Sequence, residues 1–222
     1  MIKEETYRQI IDELKEKAVL VAVSKIQSIS KIQALYNLGQ RDFGENYVQE
    51  LVEKYNTLPK DIKWHFIGHL QSNKVKYIAP FVDLIHGVDS MNLLKEINKE
   101  ANKNNRIIDC LLQVHIASEE TKFGMNEEEV NLTITEFEKE PLRFICIKGL
   151  MGMASFTDDQ KKIRHEFREL RKVFEEQKKK ALSNVNFQLS TLSMGMSADY
   201  KIALEEGSNM VRIGSLLFGK RN

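Results

Sequence analysis

One lysine and two short loops carry the residue types from which a covalent site could be built. Lys25 ends the run Val19-Leu20-Val21-Ala22-Val23-Ser24-Lys25. An apolar run of that length reads as a strand buried on both faces, which sets the lysine at a strand's C-terminal end. In parallel α/β folds ligands and chemistry collect at that end. A lysine whose stem lies in an apolar wall has its charged form disfavoured by desolvation, which leaves an amine able to form a Schiff base. Far along the chain, Ser193, Gly195 and Ser197 follow one strand-like run, and Gly214 and Ser215 follow the next. The glycines allow close backbone approach and the hydroxyls can donate to an anion, although the same residues also make ordinary turns. Arg212, two residues before Gly214, shares its side of the last strand, where it is either a ligand to the site or the partner of a helix carboxylate.

The elements that must position these residues alternate along the chain. An amphipathic helix carrying Ile10, Ile11 and Leu14 precedes the first strand. Strands are expected at Val19–Ser24, Arg41–Asn46, Trp64–Gly68, Val82–Val88, Ile107–Ile116, Phe144–Met151, Phe187–Ser190 and Met210–Gly214. Helical spacing falls between them, over Ser30–Leu38, from Val48 to about Tyr55, before Pro80, from Ser90 to about Asn102, after Met125, from Asp158 to about Ala181, and over Asp199–Glu206. Eight alternations with only three prolines and no linker predict an α/β fold, a single (β/α)8 TIM-type barrel with an extra N-terminal helix, filling residues 1–222 as one domain. An open doubly wound sheet is the alternative. Only the barrel pairs the eighth strand with the first and so brings Arg212 towards Lys25.

Composition removes several classes of function. A net charge of +1, with 42% hydrophobic and 29% charged residues, gives no field for nucleic acid and no acidic tail. No apolar run reaches the roughly 20 residues that cross a bilayer. Cys110 and Cys146 lie in apolar strand-like runs, as reduced thiols of a cytoplasmic protein do. His65, His86 and His165 do not group with the cysteines in a metal-ligand pattern, so a zinc site is not expected.

A lysine for an aldehyde, a cradle for a phosphate and a partner for a ring nitrogen are together what pyridoxal phosphate requires. Arginine as that partner has a chemical consequence: a permanently charged guanidinium can only donate to an unprotonated nitrogen, which weakens the ring as an electron sink. Five stretches carry a resemblance that points the same way: Val21-Ala22-Val23-Ser24-Lys25, Phe43-Gly44-Glu45-Asn46-Tyr47-Val48-Gln49-Glu50, His65-Phe66-Ile67-Gly68-His69-Leu70-Gln71-Ser72-Asn73-Lys74, Leu192-Ser193-Met194-Gly195-Met196-Ser197 and Val211-Arg212-Ile213-Gly214-Ser215. In this order, and nearly end to end, they resemble the pyridoxal phosphate homeostasis protein family. The resemblance implies a fold similar to the N-terminal barrel of alanine racemase and the cofactor held as an aldimine on Lys25. It further implies Asn46 within reach of the ring, Arg212 near the pyridine nitrogen, and Ser193, Gly195, Gly214 and Ser215 around the phosphate. The sequence departs from the family pattern at Ser28, Asn209 and His115, the last expected either at the cofactor face or bonded to backbone on the rim.

The function so implied is intracellular buffering or delivery of pyridoxal phosphate without an established turnover, with dependent apoenzymes as partners and the chain acting as a monomer. The rival from another class is an amino-acid racemase using the same lysine. Racemisation needs an acid or base on each cofactor face, and the sequence here stops just after the eighth strand, where alanine racemase continues into a second domain. A third reading, a sugar-phosphate enzyme of the ordinary barrel type, would need rim carboxylates, of which Glu45 is one candidate.

Overall fold

In the computed structural model, which describes residues 2–15, 17–119, 123–140, 142–180 and 186–219, eight parallel strands form a closed barrel in chain order. The strands are β1 Val19–Val23, β2 Asp42–Glu45, β3 Lys63–Phe66, β4 Leu84–Val88, β5 Ile108–Val114, β6 Ile145–Gly152, β7 Phe187–Ser193 and β8 Met210–Ile213. The helices are α1 Glu4–Leu14, α2 Ile29–Asn37, α3 Val48–Thr57, α4 Val75–Ile78, α5 Met91–Lys103, α6 Glu127–Lys139, α7 Gln160–Lys180, α8 Tyr200–Glu205 and α9 Ser215–Phe218. Glu120, Thr121 and Lys122 of the fifth loop, and the expected helix end near Ala181, lie outside the described residues.

Closure decides between the two architectures the sequence left open. β1 pairs with β8 in parallel, with Val21 opposite Arg212 and Ala22 opposite Ile213, so the barrel is formed and the open sheet is not. Between β7 and β8 the ladder is short, Ser193 opposite Met210. Asn209 extends it with its side chain, accepting from the Leu192 N–H at 2.8 Å and donating to the Ser190 carbonyl at 2.7 Å. Asn209, one of the departures from the family pattern, therefore acts as a strap between strands.

Alternation along the strands divides the apolar residues into two bodies. Leu20, Ala22 and Phe43 face outward into the large core shared with the helices, whereas Val21, Leu84, Leu111, Met151 and Met210, from five strands, pack on one another. Residues on five strands of one sheet can meet in this way only inside the barrel. In α1 the buried face is Tyr7, Ile10 and Leu14, while Ile11 is 40% exposed and does not join the apolar stripe expected of it. The helix is fastened at both ends: the Lys3 N–H donates to the Leu217 carbonyl at 2.8 Å and the Tyr200 hydroxyl to Glu13 at 2.7 Å.

One strand boundary differs from expectation in a way that matters. Thr191, Leu192 and Ser193 read as loop residues, yet they continue β7. The barrel interior accepts a hydroxyl there because other polar groups bind it, so the polarity that suggests a loop is instead the polarity of an inward-facing position.

Candidate functional site

Lys25 is half-buried and stands two residues beyond β1, after Ser24. Its two neighbours in the chain are held by a cluster of charges reaching across from β2 and α3. The Ser24 hydroxyl donates to Glu45 Oε1 at 2.5 Å. Lys54 Nζ donates to the Ser24 carbonyl at 2.7 Å, to Glu45 Oε1 at 2.7 Å and to Glu50 at 2.6 Å. Glu50 Oε1 in turn accepts the Ile26 N–H at 2.6 Å. Ile26 has φ of 62°, a left-handed conformation that a β-branched residue adopts only when its surroundings impose it, at a cost on the order of 1–3 kcal/mol. The Glu50 bond supplies that imposition. The residues on either side of Lys25 are thus fixed by Lys54 and Glu50, on the first two turns of α3.

Glu45 is fully buried, and its Oε2 has no hydrogen-bond partner. Burial pushes its carboxyl up while Lys54 and Ser24 pull it down, and the balance falls at about 7, against an ordinary value of 4.5. Because the folded chain then holds the proton more tightly than the unfolded chain, this stabilising contribution is complete below the unfolded value. It is lost as pH rises through about 7. Substituting Glu45→Gln is expected to remove the slope: chemical denaturation from pH 5 to 8 shows wild type losing up to about 3 kcal/mol relative to the variant. A difference between the two that stays flat over this range excludes titration of Glu45 there.

Arg212 lies on β8, level with Val21 and four residues below Lys25 on the neighbouring strand. It is buried, and its hydrogen bonds run to the barrel interior rather than to a helix carboxylate. Nη1 donates to the Ser193 carbonyl at 2.9 Å and to the Ser193 hydroxyl at 2.6 Å, and Nη2 donates to the Gly152 carbonyl at 2.9 Å. Burial lowers its pKa to about 10, partly offset by Asp199, so it stays a cation at neutral pH. A guanidinium has five N–H donors, and these three bonds leave two for a further acceptor.

The two loops expected to form an anion cradle do meet. The Gly214 N–H donates to the Ser197 hydroxyl at 3.3 Å and the Arg212 N–H to the Gly195 carbonyl at 3.0 Å. Gly195 has φ of 93°, and a Cβ there would stand 2.5 Å from Ala203 Cβ, so the loop presses directly on α8. Ser215 is exposed and opens α9, whose Leu217 and Phe218 N–H groups donate to the Gly214 carbonyl at 2.9 and 3.0 Å. Ser193 stands apart from this group: it is the last residue of β7 and fully buried, with its hydroxyl engaged by Arg212.

Asn46 follows β2, and its side-chain oxygen is buried without a hydrogen-bond partner. The backbone is tightly packed beside it, since a Cβ on Gly68 would lie 2.4 Å from the Asn46 carbonyl oxygen. His115 Nε2 lies 3.0 Å from the Glu119 carbonyl, the rim position bonded to backbone. His69 stacks on Phe123 with ring centroids 4.0 Å apart and stands 3.3 Å from Asp89. Sequence reasoning assigned nothing to Lys54, Glu50, His65 or His86. The last two join ring to ring inside the barrel, His65 Nδ1 to His86 Nε2 at 2.9 Å. Among the described residues no group of histidine, cysteine and carboxylate side chains could hold a metal ion, and no helix is long and apolar enough to cross a membrane.

A closed barrel with a lysine after its first strand and a buried arginine at its seam defines a class, and residues 4–222 match the family model of the alanine racemase N-terminal domain. Alanine racemase of Clostridium difficile superposes with a TM-score of 0.77 at 16% identity, over 97% of this chain and 56% of that one, which is a likeness of fold. The pyridoxal phosphate homeostasis protein of Aquifex aeolicus is 42% identical over 205 residues, covering 92% of this chain and 87% of its own. PipY of Synechococcus elongatus, solved with pyridoxal phosphate bound, superposes with a TM-score of 0.87 at 32% identity, over 97% of this chain and 99% of that one. The chain belongs to the pyridoxal phosphate homeostasis protein family.

Proposed function

We propose that this protein holds pyridoxal phosphate on Lys25 and keeps it available to dependent apoenzymes in the cytoplasm, acting as a monomeric carrier rather than as a catalyst. The observation that carries the reading is Arg212: a buried guanidinium with donors left over, at the barrel seam below Lys25. The other residues fit the same ligand. Asn46 has a buried oxygen without a partner, and Gly195 and Ser215 offer backbone and hydroxyl donors for a phosphate where their loops join, beside Gly214, whose N–H holds the Ser197 hydroxyl at the same place. PipY, at 32% identity, binds this cofactor.

In this reading Lys25 supplies the amine that anchors the cofactor, and the cluster behind it fixes where that amine stands. Arg212 donates to the ring nitrogen, while Ser193 holds Arg212 rather than the phosphate. When bound, pyridoxal phosphate supplies an aldehyde for reversible capture by amines and a ring able to withdraw electrons from an α-carbon. A permanently charged donor at the nitrogen keeps that withdrawal weak, which favours storage over racemisation. Adding pyridoxal phosphate to the purified chain is expected to produce a visible absorption band that Lys25→Ala abolishes. Incubating the loaded protein with either alanine enantiomer in deuterated water is expected to give negligible exchange at the α-carbon. Steady exchange at rates typical of a dedicated enzyme would make it a racemase.

A further inference from the structure

Behind Arg212 and Ser193 the interior of the barrel holds a continuous row of polar groups, of which the cofactor reading does not use His86, His65 and Asp42. Arg212 Nη1 lies 2.6 Å from the Ser193 hydroxyl, and that hydroxyl lies 3.4 Å from His86 Nδ1. His86 Nε2 lies 2.9 Å from His65 Nδ1, and His65 Nε2 lies 3.1 Å from Asp42 Oδ1. The members come from β8, β7, β4, β3 and β2, and all but Asp42 are buried. We propose that Asp42, His65, His86 and Ser193 are positioning residues for Arg212, forming a one-way hydrogen-bond chain that ties its guanidinium to a carboxylate at the start of β2.

The direction follows from the two ends. A guanidinium can only donate and an ionised carboxylate can only accept. Ser193, accepting from Arg212, turns its own proton towards His86 Nδ1. His86 therefore carries its proton on Nε2 and donates to His65 Nδ1, and His65 carries its proton on Nε2 and donates to Asp42. Both rings are neutral and in the same tautomer. Protonating His65 would reverse the chain: His86 would have to donate from Nδ1 to a hydroxyl oxygen already bound by Arg212, and the serine proton would be displaced. Burial above all, together with the positive charge of Arg212, holds the His86 pKa well below its ordinary value, in keeping with the neutral form. Around Arg212 the other groups are the Ser193 and Gly152 carbonyls, with the charge of Asp199 nearby. The chain supplies Arg212 with a distant counter-charge and holds it in one rotamer, so its spare donors keep one direction. The cofactor arm of the test below rests on the function proposed above, whereas the tautomer arm does not.

Nuclear magnetic resonance of ring-labelled histidines, recorded on the full cofactor-free chain near neutral pH, reads the chain directly. His65 and His86 are expected to be neutral with the proton on Nε2, and in Ser193→Ala, where the Asp42 end still fixes both rings, His86 is expected to keep that tautomer while its Nδ1 resonance shifts on losing the serine hydrogen bond. Asp42→Asn keeps an acceptor of the same shape for His65 and removes only the charge. It should leave both tautomers as they are and weaken pyridoxal phosphate binding about two- to tenfold, the range of one hydrogen bond's net contribution. An imidazolium or an Nδ1-protonated ring in the wild-type chain overturns the proposal, as does equal cofactor binding by wild type and Asp42→Asn. If the wild type shows no visible band with the cofactor, the proposed function fails, and the tautomers still decide the chain.

Discussion

Replacing Lys54 by methionine is expected to lower the unfolding free energy by about 3–5 kcal/mol at pH 8, the range for removing one partner of a buried ion pair. The Lys54 side chain is 4% exposed and Glu45 is fully buried, so water cannot substitute for the lost ammonium. The loss has three parts: the bond to Glu45, the bond to Glu50 and the bond to the Ser24 carbonyl. At pH 5 the loss is expected to be smaller, because Glu45 with its pKa at about 7 then carries a proton and needs no cation. Adding Glu45→Gln to the variant should recover part of the stability at pH 8. Urea denaturation of the three proteins at both pH values checks the result. A single loss below about 1 kcal/mol at pH 8 would place Lys54 among ordinary surface lysines. The functional consequence reaches Lys25 through Ile26, whose left-handed backbone is tied to Glu50.

Arg212→Lys carries the second large effect, on the cofactor rather than the fold. Lysine keeps the charge but offers one point of donation where the guanidinium fork reaches the Ser193 carbonyl, the Ser193 hydroxyl and the Gly152 carbonyl together. The ammonium cannot serve these acceptors and a ring nitrogen at once. A loss of about tenfold or more in pyridoxal phosphate affinity is expected, the magnitude of one charge-assisted hydrogen bond. Titration of the visible band measures it. Unchanged affinity would show that Arg212 does not reach the ring.

The parts of the site legible in the sequence were those at strand ends. Lys25 and Gly214 each follow an apolar run, Asn46 follows a short strand that runs out into polar residues, and period-2 alternation put Arg212 on the side of Gly214. The interior was harder to read. Ser193 looked like a loop residue because a hydroxyl after Thr191 resembles a turn, and only the Arg212 guanidinium facing it explains why the strand continues. His65 and His86 are 21 residues apart and meet because β3 and β4 are neighbours in the barrel. Carrying the inward phase of Lys25, Val23 and Val21 around the barrel would have marked both as interior. Lys54 left no such signal: four residues after Glu50 on a charged helix, it reads as a solvent-facing pair, and its burial follows from how α3 folds back over the end of β1.

Reductive trapping tests the central claim most directly. The protein is loaded with pyridoxal phosphate, treated with borohydride, digested and analysed by mass spectrometry. The account predicts one phosphopyridoxyl group, on the peptide that contains Lys25, and none in Lys25→Ala. A label of equal yield on another lysine in the wild-type protein, or retained in the variant, would contradict it.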